Sequence, residues 1–187
     1  MYEIEIKAHV YNRDKVISIL NSFAEYQCYI EKKDNYFRFP VSSEGEKPVT
    51  VRIRKEKIRK NNSESIENIF TYKKKEIRES KDGTSIEVNS ENEFIFSDTA
   101  PLELLISDLN GNLYLKKEKY TEVWHLETEP GTANIELCTV PPLGDFLEIE
   151  IVSENNSPEF VSSVKKIEEG IIEKCGIPLS DIEFRYY

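Results

Sequence analysis

Along Tyr2-Glu3-Ile4-Glu5-Ile6-Lys7-Ala8 polar and apolar residues alternate with a period of two. This predicts a strand with Glu3, Glu5 and Lys7 on one face and Ile4, Ile6 and Ala8 on the other. The alternation returns, again with charge on one face, in four later runs. Val51 to Arg54 aligns Arg52 and Arg54; Phe70 to Lys75 aligns Thr71, Lys73 and Lys75; Leu113 to Lys119 aligns Lys117 and Lys119; Phe146 to Ile151 aligns Glu148 and Glu150 opposite Leu147, Ile149 and Ile151. Acidic strand faces therefore bracket basic ones. Besides the first strand, strand-like runs are predicted at 35–39, 49–55, 68–75, 85–96, 113–119, 121–128, 133–140 and 146–152.

Three segments change to helical spacing. Asn12 is a predicted N-cap ahead of Val16, Ile19, Leu20 and Phe23, a pattern that stops near Ala24. Pro101 opens a second around Leu102, Leu105, Ile106 and Leu109, with Gly111 just past its end. The third starts at Ser157-Pro158, carries Phe160, Val164, Ile167, Ile171 and Cys175, and stops at Gly176. Glu129-Pro130-Gly131-Thr132 and Pro141-Pro142-Leu143-Gly144-Asp145 read as turns joining hairpins. The polar stretch Lys55 to Asn68, with Asn61 and Asn62 adjacent, reads as a solvated, mobile hairpin tip.

These elements describe an α+β protein with a mostly antiparallel sheet. The polar strand faces are too regular and too charged to be a solvent coat alone. A barrel with a polar lumen and helices packed outside accommodates both faces of every strand. Arginines and lysines that faced one another across such a lumen would repel, so a polyanion is the expected counter-charge.

With 187 residues, 39% hydrophobic and 32% charged, the chain fits one domain over residues 1–187 with a sizeable core. No apolar run approaches the roughly 18 to 20 residues that span a bilayer, so neither leader nor anchor is expected and a cytoplasmic location follows. Cys28, Cys138 and Cys175 are widely separated and read as reduced thiols. A formal net charge of −10 argues against sequence-independent binding to nucleic acid or to an anionic membrane surface. It leaves room for a local basic pocket that takes a small polyanion.

The residues Glu3-Ile4-Glu5-Ile6-Lys7 match a Glu-x-Glu-x-Lys hallmark. With Arg52-Ile53-Arg54, Thr71-Tyr72-Lys73 and Leu143-Gly144-Asp145-Phe146-Leu147-Glu148-Ile149-Glu150 in order, the chain resembles the CYTH superfamily of triphosphate tunnel metalloenzymes. Asp34-Asn35-Tyr36-Phe37 is similar to a segment of the CyaB-type class IV adenylate cyclases. The resemblance implies a closed eight-stranded barrel and a Mg²⁺- or Mn²⁺-dependent enzyme acting on a triphosphate, foremost a class IV adenylate cyclase that converts ATP to cyclic AMP and pyrophosphate, with an inorganic or thiamine triphosphatase as the alternative. It further implies Lys7, Arg52, Arg54, Lys73, Lys75 and Lys117 as the triphosphate grip, and Glu3, Glu5, Glu148 and Glu150 as metal ligands. Glu3, Glu5, Lys7 and Glu87 become the catalytic candidates, and a homodimer is a family expectation. Three positions depart from the family pattern: Cys138 where an Asp is usual, Lys117 for an Arg, and Asn89 for the second Glu after the lysine strand. These motivate an alternative, a triphosphate-binding module whose catalysis has decayed. His9 and His125 carry no motif, and Trp124, Tyr114 and Tyr120 are offered as base-stacking rings against their more ordinary use as strand residues.

Overall fold

The computed structural model describes residues 1–40, 48–79 and 85–183, with side chains described except over 73–79 and 85–91. The described chain runs β1 (Tyr2–Val10), α1 (Arg13–Leu20), β2 (Glu25–Arg38), β3 (Thr50–Lys60), β4 (Ser63–Glu79), β5 (Ser85–Phe96), α2 (Ala100–Asp108), β6 (Asn112–Thr128), β7 (Gly131–Val140), β8 (Gly144–Ser153) and α3 (Pro158–Lys174). All neighbouring strands are antiparallel, in the cyclic order β1-β5-β4-β3-β2-β6-β7-β8. β1 closes the ring by pairing with β8 along its whole length, Tyr2 opposite Ser153 through Val10 opposite Asp145, and with β5 on its other side.

The predicted helix starts are those observed. The Asn12 side chain accepts from the Lys15 amide and the Ser157 side chain from the Phe160 amide, satisfying donors that the first helical turn leaves open. α1 and α3 lie against the outer face of β1, β6, β7 and β8. There Ile4, Ile6, Ala8, Ala133, Ile135, Leu137, Leu147, Ile149 and Ile151 meet Val16, Leu20, Val161, Val164, Ile171 and Ile172. α2 forms a second apolar cluster, burying Ile106 with Val51 and Ile53 on the other side of the barrel. The main core is thus between sheet and helices, which frees the barrel interior for polar side chains. No described helix is long and apolar enough to cross a membrane.

Three boundaries differ from the sequence reading. β2 begins at Glu25, ten residues ahead of the predicted run at 35. The runs 113–119 and 121–128 are one strand, β6. Lys55 to Asn68 is the predicted hairpin, with its arms fully paired: β3 and β4 pair from Lys60 opposite Ser63 back to Lys55 opposite Asn68, and Asn61 takes the left-handed conformation (φ 53°) that lets the chain reverse at once.

Candidate functional site

Strand pairing carries one polar face around the inside of the barrel. On β1 and β8 the register sets Glu5 opposite Glu150 and Lys7 opposite Glu148, while β7 sets Asn134 opposite Glu150 and Glu136 opposite Glu148. On the far side Asp34 of β2 stands between Lys117 of β6 and Arg54 of β3, and Tyr36 stands opposite Arg52, itself opposite Thr71 of β4. The predicted residues Glu3, Glu5, Lys7, Glu148 and Glu150 thus share the wall made by β1 and β8, and Arg52, Arg54 and Lys117 the wall made by β3, β2 and β6. Lys73, Lys75 and Glu87 sit in paired backbone, with Glu87 opposite Glu5 and Lys75 opposite Asn89, but their side chains fall outside the described residues.

Within the lumen, charges are matched by the protein itself. Arg54 makes a two-pronged contact with Asp34 (Nε to Oδ1 2.7 Å, Nη2 to Oδ2 2.9 Å), and its remaining nitrogen lies 3.4 Å from Glu56. Lys32 donates to both oxygens of Glu136 at 2.6 and 2.8 Å and lies 3.9 Å from Glu56. Lys119 pairs with Glu148 and sits 3.8 Å from Glu136. Asp34, Lys32, Lys119 and Glu56 are all buried, a state charged side chains tolerate only when paired. The Cys138 thiol, fully buried, lies 3.8 Å from carboxylate oxygens of Glu136 and Glu148.

The electrostatics follow from these contacts. Burial alone would raise the Asp34 carboxyl, but the Arg54 guanidinium outweighs it and holds Asp34 well below the usual carboxylate range. Glu136 is held down against its own burial by Lys32 and Lys119. Burial pushes the Cys138 thiol up to about 12, so it is a neutral thiol at physiological pH. Lys117 moves the other way, since burial and the like charge of Lys119 bring its ammonium down to about 8.

Sequence reasoning expected a polyanion to compensate the lumen cations. Instead Asp34, Glu56, Glu136 and Glu148 compensate Arg54, Lys32 and Lys119 before any ligand arrives. Lys32, Asp34, Glu56, Lys119 and Glu136 had not been singled out for the site. The signal for Glu136 was available, since it alternates with the apolar Ile135 and Leu137 as Glu148 does with Leu147 and Ile149. Nearer the β4–β5 side, Arg52 donates to Thr71 Oγ1 at 2.9 Å and to Glu93 at 3.0 Å, and Lys117 lies 5.7 Å from the centre of the Tyr36 ring.

The remaining candidates have structural employment. Trp124 is buried in the core under α1, its indole N–H donating to Asn21 at 2.8 Å. The Tyr120 hydroxyl donates to the exposed Glu118, and Arg38 lies 4.0 Å over the Tyr114 ring. His9 is 3.4 Å from Glu183 and packs on Phe146.

A family model described as the CYTH domain matches residues 1–174. Among solved structures, the PH1012 protein of Pyrococcus horikoshii OT3 is 25% identical, with 99% of this chain and 96% of that one covered and a TM-score of 0.68. A putative adenylate cyclase from Vibrio parahaemolyticus shares the fold at 12% identity, covering 100% and 95% of the two chains with a TM-score of 0.66. HpAC1 from Hippeastrum, described as a putative adenylyl cyclase with a dominant triphosphatase activity, shares it at 14% identity, 100% and 91% coverage and a TM-score of 0.58. A comparison with curated proteins found no match.

Proposed function

The chain belongs to the CYTH domain family, and on that premise we propose that it is a metal-dependent enzyme that hydrolyses a linear triphosphate inside its barrel. The observation that carries this reading is the facing of two walls in one closed lumen, Glu3, Glu5 and Glu150 on one and Arg52, Arg54 and Lys117 on the other. Arg52 and Lys117, with Lys7 beside the acidic wall, are placed to hold phosphate oxygens, the arginine by its planar fork. Arg54, gripped at both prongs by the buried Asp34 and close to Glu56, contributes positive potential and shape, whereas Arg52 would exchange its contacts with Thr71 and Glu93 for phosphate oxygens. Lys73, Lys75 and Glu87 belong to the same proposal by strand position alone.

The acidic wall suits a hard divalent cation by its donor chemistry rather than as a preformed cluster, since among the described residues the group whose ligand atoms lie within 4.8 Å of one another is Glu136–Cys138–Glu148. Glu5 and Glu150 are register partners on adjoining strands and Glu3 follows on the same face, an all-oxygen donor set of the kind Mg²⁺ and Mn²⁺ prefer. When bound, such an ion neutralises phosphate charge and polarises the phosphoryl oxygen. The protein's own part is to orient the chain of phosphates along the lumen and to hold charge on both sides of the bond that breaks.

Hydrolysis is placed ahead of cyclisation because Trp124 and Tyr120, offered by the sequence as base-stacking rings, serve other contacts. Cyclisation of ATP is the second reading, favoured by Tyr36, which lies among Asp34, Arg52 and Lys117 and offers a ring to an adenine. Incubation with Mg²⁺ or Mn²⁺ and either tripolyphosphate or ATP, followed by chromatography, separates them. Orthophosphate from tripolyphosphate without cyclic AMP is expected; cyclic AMP with pyrophosphate would establish the cyclase, and binding without product the decayed module.

The Lys117 ammonium predicts a pH signature. It is charged below about 8 and neutral above, so tripolyphosphate affinity should weaken as pH rises through that value. In Lys117→Arg, whose guanidinium stays charged, this part of the pH dependence should vanish. Isothermal titration at pH 7 and pH 9 checks it, and identical profiles for the two proteins would remove Lys117 from the grip.

A further inference from the structure

Four strands bring Lys32, Lys119, Glu136 and Glu148 together in the lumen, with Cys138 between the two glutamates. One oxygen of Glu136, the Cys138 sulfur and one oxygen of Glu148 lie within 4.8 Å of one another, a spacing that would suit a divalent cation. That space already holds positive charge. The Lys119 ammonium is paired with Glu148 and is 3.8 Å from Glu136, and the Lys32 ammonium donates twice to Glu136. Both lysines are 5% exposed, so water does little to screen them from one another or from an entering ion.

Within this group two ammoniums match two carboxylates, and the next carboxylate, Glu56 at 3.9 Å from Lys32, is shared with Arg54. A divalent ion entering among these donors would have to take both carboxylates from their lysines and then sit within a few ångströms of two buried ammoniums. The Cys138 sulfur adds a soft donor, poorly matched to a hard ion.

We propose that the Lys119 ammonium, set between Glu148 and Glu136, takes the place of a metal ion in this chain, so that the Glu136–Cys138–Glu148 group binds no divalent cation. In consequence Glu148 serves Lys119 and not the metal, and any divalent ion is left to Glu3, Glu5 and Glu150. Only that last clause rests on the function proposed above; the occupancy by lysine stands without it.

The test counts Mn²⁺ ions bound per chain, by electron paramagnetic resonance of free Mn²⁺, with no triphosphate present. Lys119→Met should bind one more Mn²⁺ than the wild-type protein, and the added ion should be lost again in Lys119→Met combined with Glu148→Gln. Glu148→Gln alone should leave the wild-type count unchanged. A folded Lys119→Met that takes up no further ion would overturn the proposal, as would loss of an ion in Glu148→Gln alone. Far-UV circular dichroism establishes folding, and if Lys119→Met does not fold the Glu148→Gln comparison decides. A wild-type protein that binds no Mn²⁺ would defeat the proposed metal-dependent function, while the difference between wild type and Lys119→Met would still judge the lysine.

Discussion

Asp34→Ala is expected to lose about 3 to 5 kcal/mol of stability at pH 7, the usual consequence of removing one partner from a buried ion pair. Asp34 is 2% exposed and accepts both prongs of Arg54. Without it the guanidinium stays buried with only the 3.4 Å contact to Glu56 described for it, and desolvation is no longer offset. The pH dependence follows from the direction of the shift. Asp34 is held below its unfolded value, so its contribution is fully present above the unfolded carboxylate pKa of about 4 and fades only as pH falls below that. Urea denaturation of both proteins at pH 7 and pH 3 should therefore show a large gap that narrows in acid. Equal midpoints at pH 7 would mean that Glu56 alone suffices to hold Arg54.

Glu168 presents the opposite case. It is fully buried on the face of α3 that packs on the sheet, and neither carboxyl oxygen has a hydrogen-bond partner among the described residues. Burial raises its pKa well above the ordinary carboxylate value, and the charges of Glu5, Glu150 and Glu169 add to this while Lys165 opposes it. The folded state therefore keeps a proton that the unfolded chain releases above about pH 4.3, and stability falls as pH climbs from there toward the folded value. Glu168→Met, of similar size and without the polar oxygens, should gain about 1 to 3 kcal/mol at pH 8 and less at pH 5. For a chain of this length each kcal/mol is worth roughly 2 to 4 °C in Tm. Calorimetry at the two pH values reads the gain directly; a variant melting below wild type at pH 8 would show that the buried carboxyl stabilises the fold.

What was legible in the sequence depended on where each strand face points. β1, β7 and β8 have an outer face of Ile, Leu, Val and Ala under the helices and an inner face rich in charge, so their alternation is plain. The acidic wall and the paired Arg52 and Arg54 could be read for the same reason. β2 was read late because its inner face changes character, from Cys28 and Ile30 to Lys32 and Asp34, which breaks the hydrophobic period although the backbone continues. β6 was split in two at the same kind of change, from Lys117 and Lys119 to Thr121 and Val123. The β3–β4 arm looked like a solvated tip because one of its faces is solvated, while Glu56 on the other is buried against Lys32 and Arg54. The Lys32–Glu136 and Lys119–Glu148 ion pairs were beyond reach for a further reason. They link β2 to β7 and β6 to β8, and which strands adjoin, β2 beside β6 above all, is not written in chain order.

The ring closed by β1 also orders events in time. In a chain made from its N-terminus, Tyr2–Val10 emerges more than a hundred residues before its full-length partner Gly144–Ser153. Until then its backbone groups lack that ladder and Ile4, Ile6 and Ala8 lack the cover of α3. Pairings of such long sequence separation form slowly, and a strand waiting with an open edge is open to association with other chains. The last hydrogen-bonded seam of the barrel is thus the one that joins its first strand to its last, and during synthesis the acidic wall of the lumen comes into being only when that seam closes.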